Sequence, residues 1–268
     1  MSVVIITGAS DGIGAELARQ MAQEQGSSLQ LTLAARNVDK LEQVALQCRQ
    51  LGAMVLVRPT DVGDEAACRG LIADTVARFG GIDTLVNNAG MSAHALLEEV
   101  KDLSWYEDLM RINLWGSVWC THAALPHLKA SKGRIVAVSS LAGLVGVPGR
   151  TAYSSTKFAM NGFFEALRVE MVPHGVSVTL AYPGVVATEI RYRGYNAQGE
   201  AAGKSGLDES GAMSVEECAR LIRTGLNARQ RDIVMSAKGK LSRWMKLLAP
   251  ALVDKLALKA LKSEVRPH

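Results

Sequence analysis

At 268 residues, with 48% apolar and 21% charged residues, the chain has the size of one large α/β domain and the composition of an ordinary globular protein. The formal net charge of +4 is unevenly placed: residues 238–268 carry eight Lys/Arg against Asp254 and Glu264, a net +6, which leaves the main body slightly acidic and argues against a nucleic-acid partner. No apolar run approaches the ~20 residues that a membrane-spanning helix needs. Cys48, Cys68, Cys120 and Cys218 lie too far apart for a C-x-x-C site and read as reduced core thiols, as expected of a cytoplasmic protein.

The chain opens on Ser2-Val3-Val4-Ile5-Ile6, which has no basic flank and reads as a strand rather than a signal peptide. Short aliphatic runs at 3–7, 29–34, 53–58, 82–87, 134–139 and 176–182 suit strands buried on both faces, and 232–236 adds a shorter seventh. Amphipathic segments near 12–25, 38–51, 64–79, 103–130 and 152–172 alternate with them. This alternation predicts an α/β fold: a Rossmann-like, doubly wound parallel sheet of about seven strands with helices on both faces, forming a single domain over 1–236. Residues 184–213 are rich in Gly, Ala and polar side chains and too long for an ordinary connection, so they predict a lid over a substrate. The tail, 237–268, is basic and amphipathic. It suits either a helix pair that closes the cleft or meets a second subunit, or a stretch lying at a membrane interface.

Directly after the first strand comes Thr7-Gly8-Ala9-Ser10-Asp11-Gly12-Ile13-Gly14. Glycines there permit tight backbone angles, let the main chain approach a pyrophosphate and allow close helix–strand packing. The following helix N-terminus presents free N–H groups and positive dipole to phosphates. Gly8, Ser10, Asp11, Gly12, Ile13 and Gly14 are therefore candidate cofactor residues, with Asp11 an awkward anion among them. The second strand ends Leu33-Ala34-Ala35-Arg36-Asn37, with alanine where a carboxylate would hold the ribose 2′-hydroxyl of NAD. Arg36, beside Asn37, can instead pair with a 2′-phosphate, which predicts NADP(H).

Tyr153-Ser154-Ser155-Thr156-Lys157 opens a predicted helix, and its i, i+4 spacing puts phenol and ammonium on one face. A phenol is a poor base at neutral pH, and a neighbouring ammonium favours its ionised form, so the pair suits proton transfer to or from a carbonyl oxygen. The histidines (His94, His122, His127, His174, His268) form no ligand cluster, and no metal is expected.

With TGASDGIG at 7–14, NNAG at 87–90, RINLWGS at 111–117, VSSLAG at 138–143, YSSTK at 153–157 and YPGVVAT at 182–188, the chain resembles the short-chain dehydrogenase/reductase family up to about residue 236. The resemblance implies Tyr153 as the catalytic acid/base, Lys157 as the lysine that binds the nicotinamide ribose and supports it, Ser140 as the hydrogen-bond donor to the substrate oxygen, and Asn113 as the holder of a water in a proton relay. It further implies Asp61, with Val62, at the adenine; Asn88, with Ala89 and Gly90, near the adenosine ribose; and Pro183, Gly184, Val186 and Thr188 at the nicotinamide carboxamide. Hydroxysteroid dehydrogenases of the microsomal type are similar, as are 3-oxoacyl carrier-protein reductases. Leu141, Val145, Val147 and the lid suggest an apolar pocket for a lipid- or steroid-like ketone or alcohol. A homodimer or homotetramer is expected by the same resemblance, and an idle nucleotide-binding regulator is the alternative class.

Overall fold

The computed structural model describes residues 1–205, 209 and 211–264, so 206–208 and 210 of the expected lid and the end of the tail lie outside the described residues. Among the described residues seven strands form: β1 (Ser2–Thr7), β2 (Leu29–Ala35), β3 (Met54–Pro59), β4 (Thr84–Asn87), β5 (Arg134–Val138), β6 (Ser177–Tyr182) and β7 (Asp232–Val234). All pair in parallel in the order β3-β2-β1-β4-β5-β6-β7. The order reverses between β1 and β4, which opens a crevice at their carboxyl ends where doubly wound sheets take their ligands.

Strand geometry explains the layers. Neighbouring residues on a strand point to opposite faces, so Val4 and Ile6 enter one apolar core and Ile5 the other. The first core is covered by α1 (Gly12–Gln25), α2 (Val38–Gln50) and α7 (Val215–Asn227). The second is covered by α3 (Glu65–Phe79), α5 (Gly116–Ser131) and α6 (Thr151–Met171), which contribute Leu71, Cys120 and Phe164. Two outer helices, α8 (Ala237–Leu248) and α9 (Pro250–Glu264), end the described residues. Among the described residues no helix is long and apolar enough to cross a membrane.

One expectation needs correction, and two helices add what was not expected. The run at 53–58 is only half-buried along its length, because β3 is an edge strand with one neighbour. The helix expected over 103–130 forms as one helical run, in which α4 (Ser104–Met110) passes through a π turn at Arg111–Trp115 directly into α5. Helix α7 was not anticipated, although Ser214 caps it by accepting from Glu217 N and Cys218, Ala219, Ile222 and Leu226 form its buried stripe. All four cysteines are buried and free. Burial pushes the Cys48 thiol up to about 11 and that of Cys218 to about 12, which leaves both unreactive at neutral pH.

Candidate active site

A cavity of about 780 Å³ lies along the carboxyl ends of the strands, from the glycine turn to the start of α6. At the turn, Gly8 and Gly12 have φ of +66° and +53°, backbone that a side chain resists. A Cβ on Gly14 would stand 2.4 Å from the Gly8 carbonyl oxygen, so α1 can press this close to the turn only without one. Asn88 braces the same bend, its Nδ2 donating to Thr7 O at 2.9 Å and Gly8 O at 3.1 Å. The awkward anion of this turn has cationic partners: the Asp11 carboxylate pairs with Arg193 of the lid at 2.7 Å and lies 3.7 Å from Lys40.

Gly8, Ser10, Asp11, Gly12, Ile13, Arg36, Asn37, Asp61, Val62, Asn88, Ala89, Gly90, Ser140, Tyr153, Lys157, Pro183, Gly184, Val186 and Thr188 all line this cavity. Two expected residues do not. Gly14 packs behind the turn, and Asn113 is fully buried in the π turn. The Asn113 carboxamide is spent on protein partners: Oδ1 accepts from Met91 N (2.8 Å), and Nδ2 donates to Met91 O (2.9 Å) and Thr156 Oγ1 (3.0 Å). Asn37 is likewise partly engaged, its Oδ1 capping α2 by accepting from Lys40 N. Val145 is absent from the lining, whereas Leu141 and Val147 are present.

The far wall is made of side chains. Tyr153 and Lys157 are both buried, one helical turn apart on α6. Lys157 Nζ donates to Val138 O at 2.9 Å and stands 5.8 Å from the centre of the Tyr153 ring. Burial pushes the Lys157 ammonium below its ordinary range; Tyr153 works against that shift and Arg150 adds to it. The two serines that follow β5 take different partners. Ser139 donates to Asn161 Oδ1, while Ser140 Oγ accepts from Ala142 N, leaving its own O–H free to donate into the cavity.

Sequence reasoning missed Arg150. Its guanidinium lies 4.3 Å from the Tyr153 ring centre and donates to Ser92 Oγ and Ala93 O, clamping the phenol's outer face to the segment after β4. It also missed Arg191 and Arg193, which line the cavity from the lid and make it less apolar than expected. Arg191 is itself buried, donating to Glu209 Oε1 and Val186 O. Backbone bonds from His94 N to Tyr195 O and from Tyr195 N to Ser92 O seat this lid against the body. Among the described residues no group of His, Cys, Asp or Glu could hold a metal.

A doubly wound sheet with a glycine turn at one end of its crevice and a buried Tyr–Lys pair at the other defines a nucleotide-dependent oxidoreductase. Comparison with known proteins agrees: the short chain dehydrogenase family model matches residues 2–198. The chain is 36% identical over 255 residues to 11-beta-hydroxysteroid dehydrogenase-like 4A of Arabidopsis thaliana, covering 94% of this chain and 82% of that one. It is 37% identical over 259 residues to 11-beta-hydroxysteroid dehydrogenase A of Sesamum indicum, covering 94% and 73%. A solved alcohol dehydrogenase of Thermococcus sibiricus, complexed with 5-hydroxy-NADP, is similar with a TM-score of 0.76 and 29% identity over 88% of this chain and 96% of that one. The chain belongs to the short-chain dehydrogenase/reductase family and is an oxidoreductase acting on CH–OH and C=O groups.

Proposed function

We propose that this enzyme uses NADP(H) to interconvert a carbonyl and a secondary alcohol on a hydrophobic, lipid- or steroid-like substrate, with Tyr153 as acid/base. The observation that carries the reading is the pairing of Tyr153 with Lys157 in the cavity wall, at the opposite end from the glycine cradle. The hydroxysteroid names of its relatives and the apolar lining from Met91, Leu141, Val147, Val186 and Ile190 favour the substrate class.

When bound, the nicotinamide supplies or accepts the hydride, and the rest is work for this chain. In the reducing direction the Tyr153 O–H gives its proton to the substrate oxygen as the carbonyl carbon gains hydride, and Ser140 donates a hydrogen bond to that same oxygen. Lys157, tethered to Val138 O, holds positive charge beside the phenol that has lost its proton. Asn113 acts as a positioning residue, tying Met91 to Thr156 on α6. Asp61 takes the adenine side of the cradle. Arg36, which has no hydrogen-bond or ion-pair partner among the described residues, is available for a 2′-phosphate.

Initial rates with NADPH and NADH test the cofactor half. The expected result is higher kcat/KM with NADPH, and an Arg36→Ala protein that loses about 10-fold or more of that preference, the worth of one charged hydrogen bond. A preference for NADH overturns it. A second reading, a 3-oxoacyl-type reductase, draws on the exposed Arg193 in the lining, which would exchange the Asp11 carboxylate for an anionic carrier group. Faster turnover of 3-oxoacyl thioesters than of steroid or lipid ketones selects that reading.

A further inference from the structure

The hairpin of α8 and α9 presents two opposed faces. Toward the body, Gly239 is buried so tightly that a Cβ would lie 2.5 Å from Leu141 Cδ2. Arg243 pairs with Asp232 at 2.9 Å, and Lys246 donates to Leu144 O with its ammonium 4.4 Å from the Phe158 ring centre. At 3.6 residues per turn, 239, 243 and 246 fall on one side of α8, and 241, 244 and 248 on the other. That outer side carries Leu241, Trp244 and Leu248, which are 60%, 64% and 82% exposed, with Leu247 beside them at 71%. On α9, Leu252 and Leu256 are exposed one turn apart, and none of its residues whose side chains are described is buried.

We propose that this hairpin docks the enzyme on an anionic membrane surface, with the α8 stripe in the headgroup–acyl boundary and the lysines among the headgroups. Charge selects the occupant. Lys240, Lys255 and Lys259 are exposed on the hairpin, and residues 238–268 sum to +6. A two-fold contact between copies would set this surface against itself, whereas anionic lipid complements it. A tryptophan among leucines with flanking lysines is the composition of a helix lying in that boundary. Because Leu141 lines the cavity and packs on Gly239, docking brings the cavity wall beside the bilayer, a source of hydrophobic substrate. The docking itself does not depend on which substrate is turned over.

The test is co-sedimentation of the full chain with vesicles of equal phosphatidylglycerol and phosphatidylcholine, or of phosphatidylcholine alone. Binding is expected to the anionic vesicles, weakened by salt. It should fall about 25-fold in Lys255→Gln/Lys259→Gln, at about five-fold per basic residue. It should also be lost in Leu241→Ser/Leu248→Ser while NADPH oxidation and thermal melting stay as in the parent. No pelleting with anionic vesicles, equal pelleting with both kinds, or undiminished binding of the leucine variant overturns the proposal. So does a dimer in analytical ultracentrifugation that this variant converts to monomer, since a second copy would then cover the face.

Discussion

The two ends of the cavity are built by different means. At the glycine turn the surface is backbone: Gly8, Gly12 and Gly14 shape it within one short stretch, what surrounds Gly8 and Gly14 leaves no room for an added carbon, and Gly12 has a positive φ that a side chain resists. At the far wall the surface is side chain: Tyr153 and Lys157 are set in place by Val138, by Arg150 with Ser92 and Ala93, and by Asn113 through Thr156. The first end therefore fails when atoms are added and the second when they are removed. The cost also falls on different quantities, structure and cofactor affinity at one end and turnover at the other.

The largest effect should come from the far wall. Lys157→Met removes the ammonium and is expected to lower kcat by about 10²–10⁴-fold, the usual worth of a general acid–base device. The same change should not cost stability at neutral pH. Burial depresses the Lys157 pKa in the folded protein, so the folded chain holds that proton less tightly than the unfolded one, whose lysine keeps the ordinary value of 10.5. The resulting penalty is complete below the folded pKa and fades as pH rises toward 10.5. Urea melts at pH 7 and pH 10 should thus show the variant's relative advantage shrinking with pH; an advantage that grows breaks the argument.

Next in size is Gly14→Ala, which overpacks the turn and is expected to cost about 1–3 kcal/mol in urea unfolding, with weaker NADPH binding. Gly162→Ala sharpens the contrast, because that exposed glycine inside α6 has nothing within 4 Å of the added carbon and should gain about 0.5–1 kcal/mol. Equal effects at the two glycines would remove the distinction. Smallest is Asp11→Asn, which frees Arg193 and Lys40 from a part-exposed carboxylate. Stability should change by no more than ~1 kcal/mol, and the KM for NADPH should fall as two cations become available to phosphate, an effect that salt erases.

The same division governs what was legible in the sequence. Strand–helix alternation and the glycine turn are local patterns, and both ends of every described strand lie within two residues of where periodicity put them. Tyr153 and Lys157 were legible because one helical turn brings them together. Arg150 was not, because a guanidinium before a helix reads as a surface charge, and only the folded chain brings it to Ser92, 58 residues away. The bond from Arg193 to Asp11 spans 182 positions through an irregular lid and leaves no periodic trace. Asn113 was found as a residue, but its burial in a π turn, and therefore its use as a brace, depends on how α4 meets α5. Helix α7 was legible and overlooked: Ser214, Glu216 and Glu217 mark its start, and an apolar face follows at helical spacing.

The central claim is that the Tyr153 hydroxyl moves the proton. Single-turnover oxidation of NADPH by Tyr153→Phe, at saturating cofactor with a steroid or lipid ketone, reads the chemical step apart from binding. A rate constant lower by about 10²-fold or more is the result expected. A rate within a few-fold of the parent enzyme's would place the proton donor elsewhere.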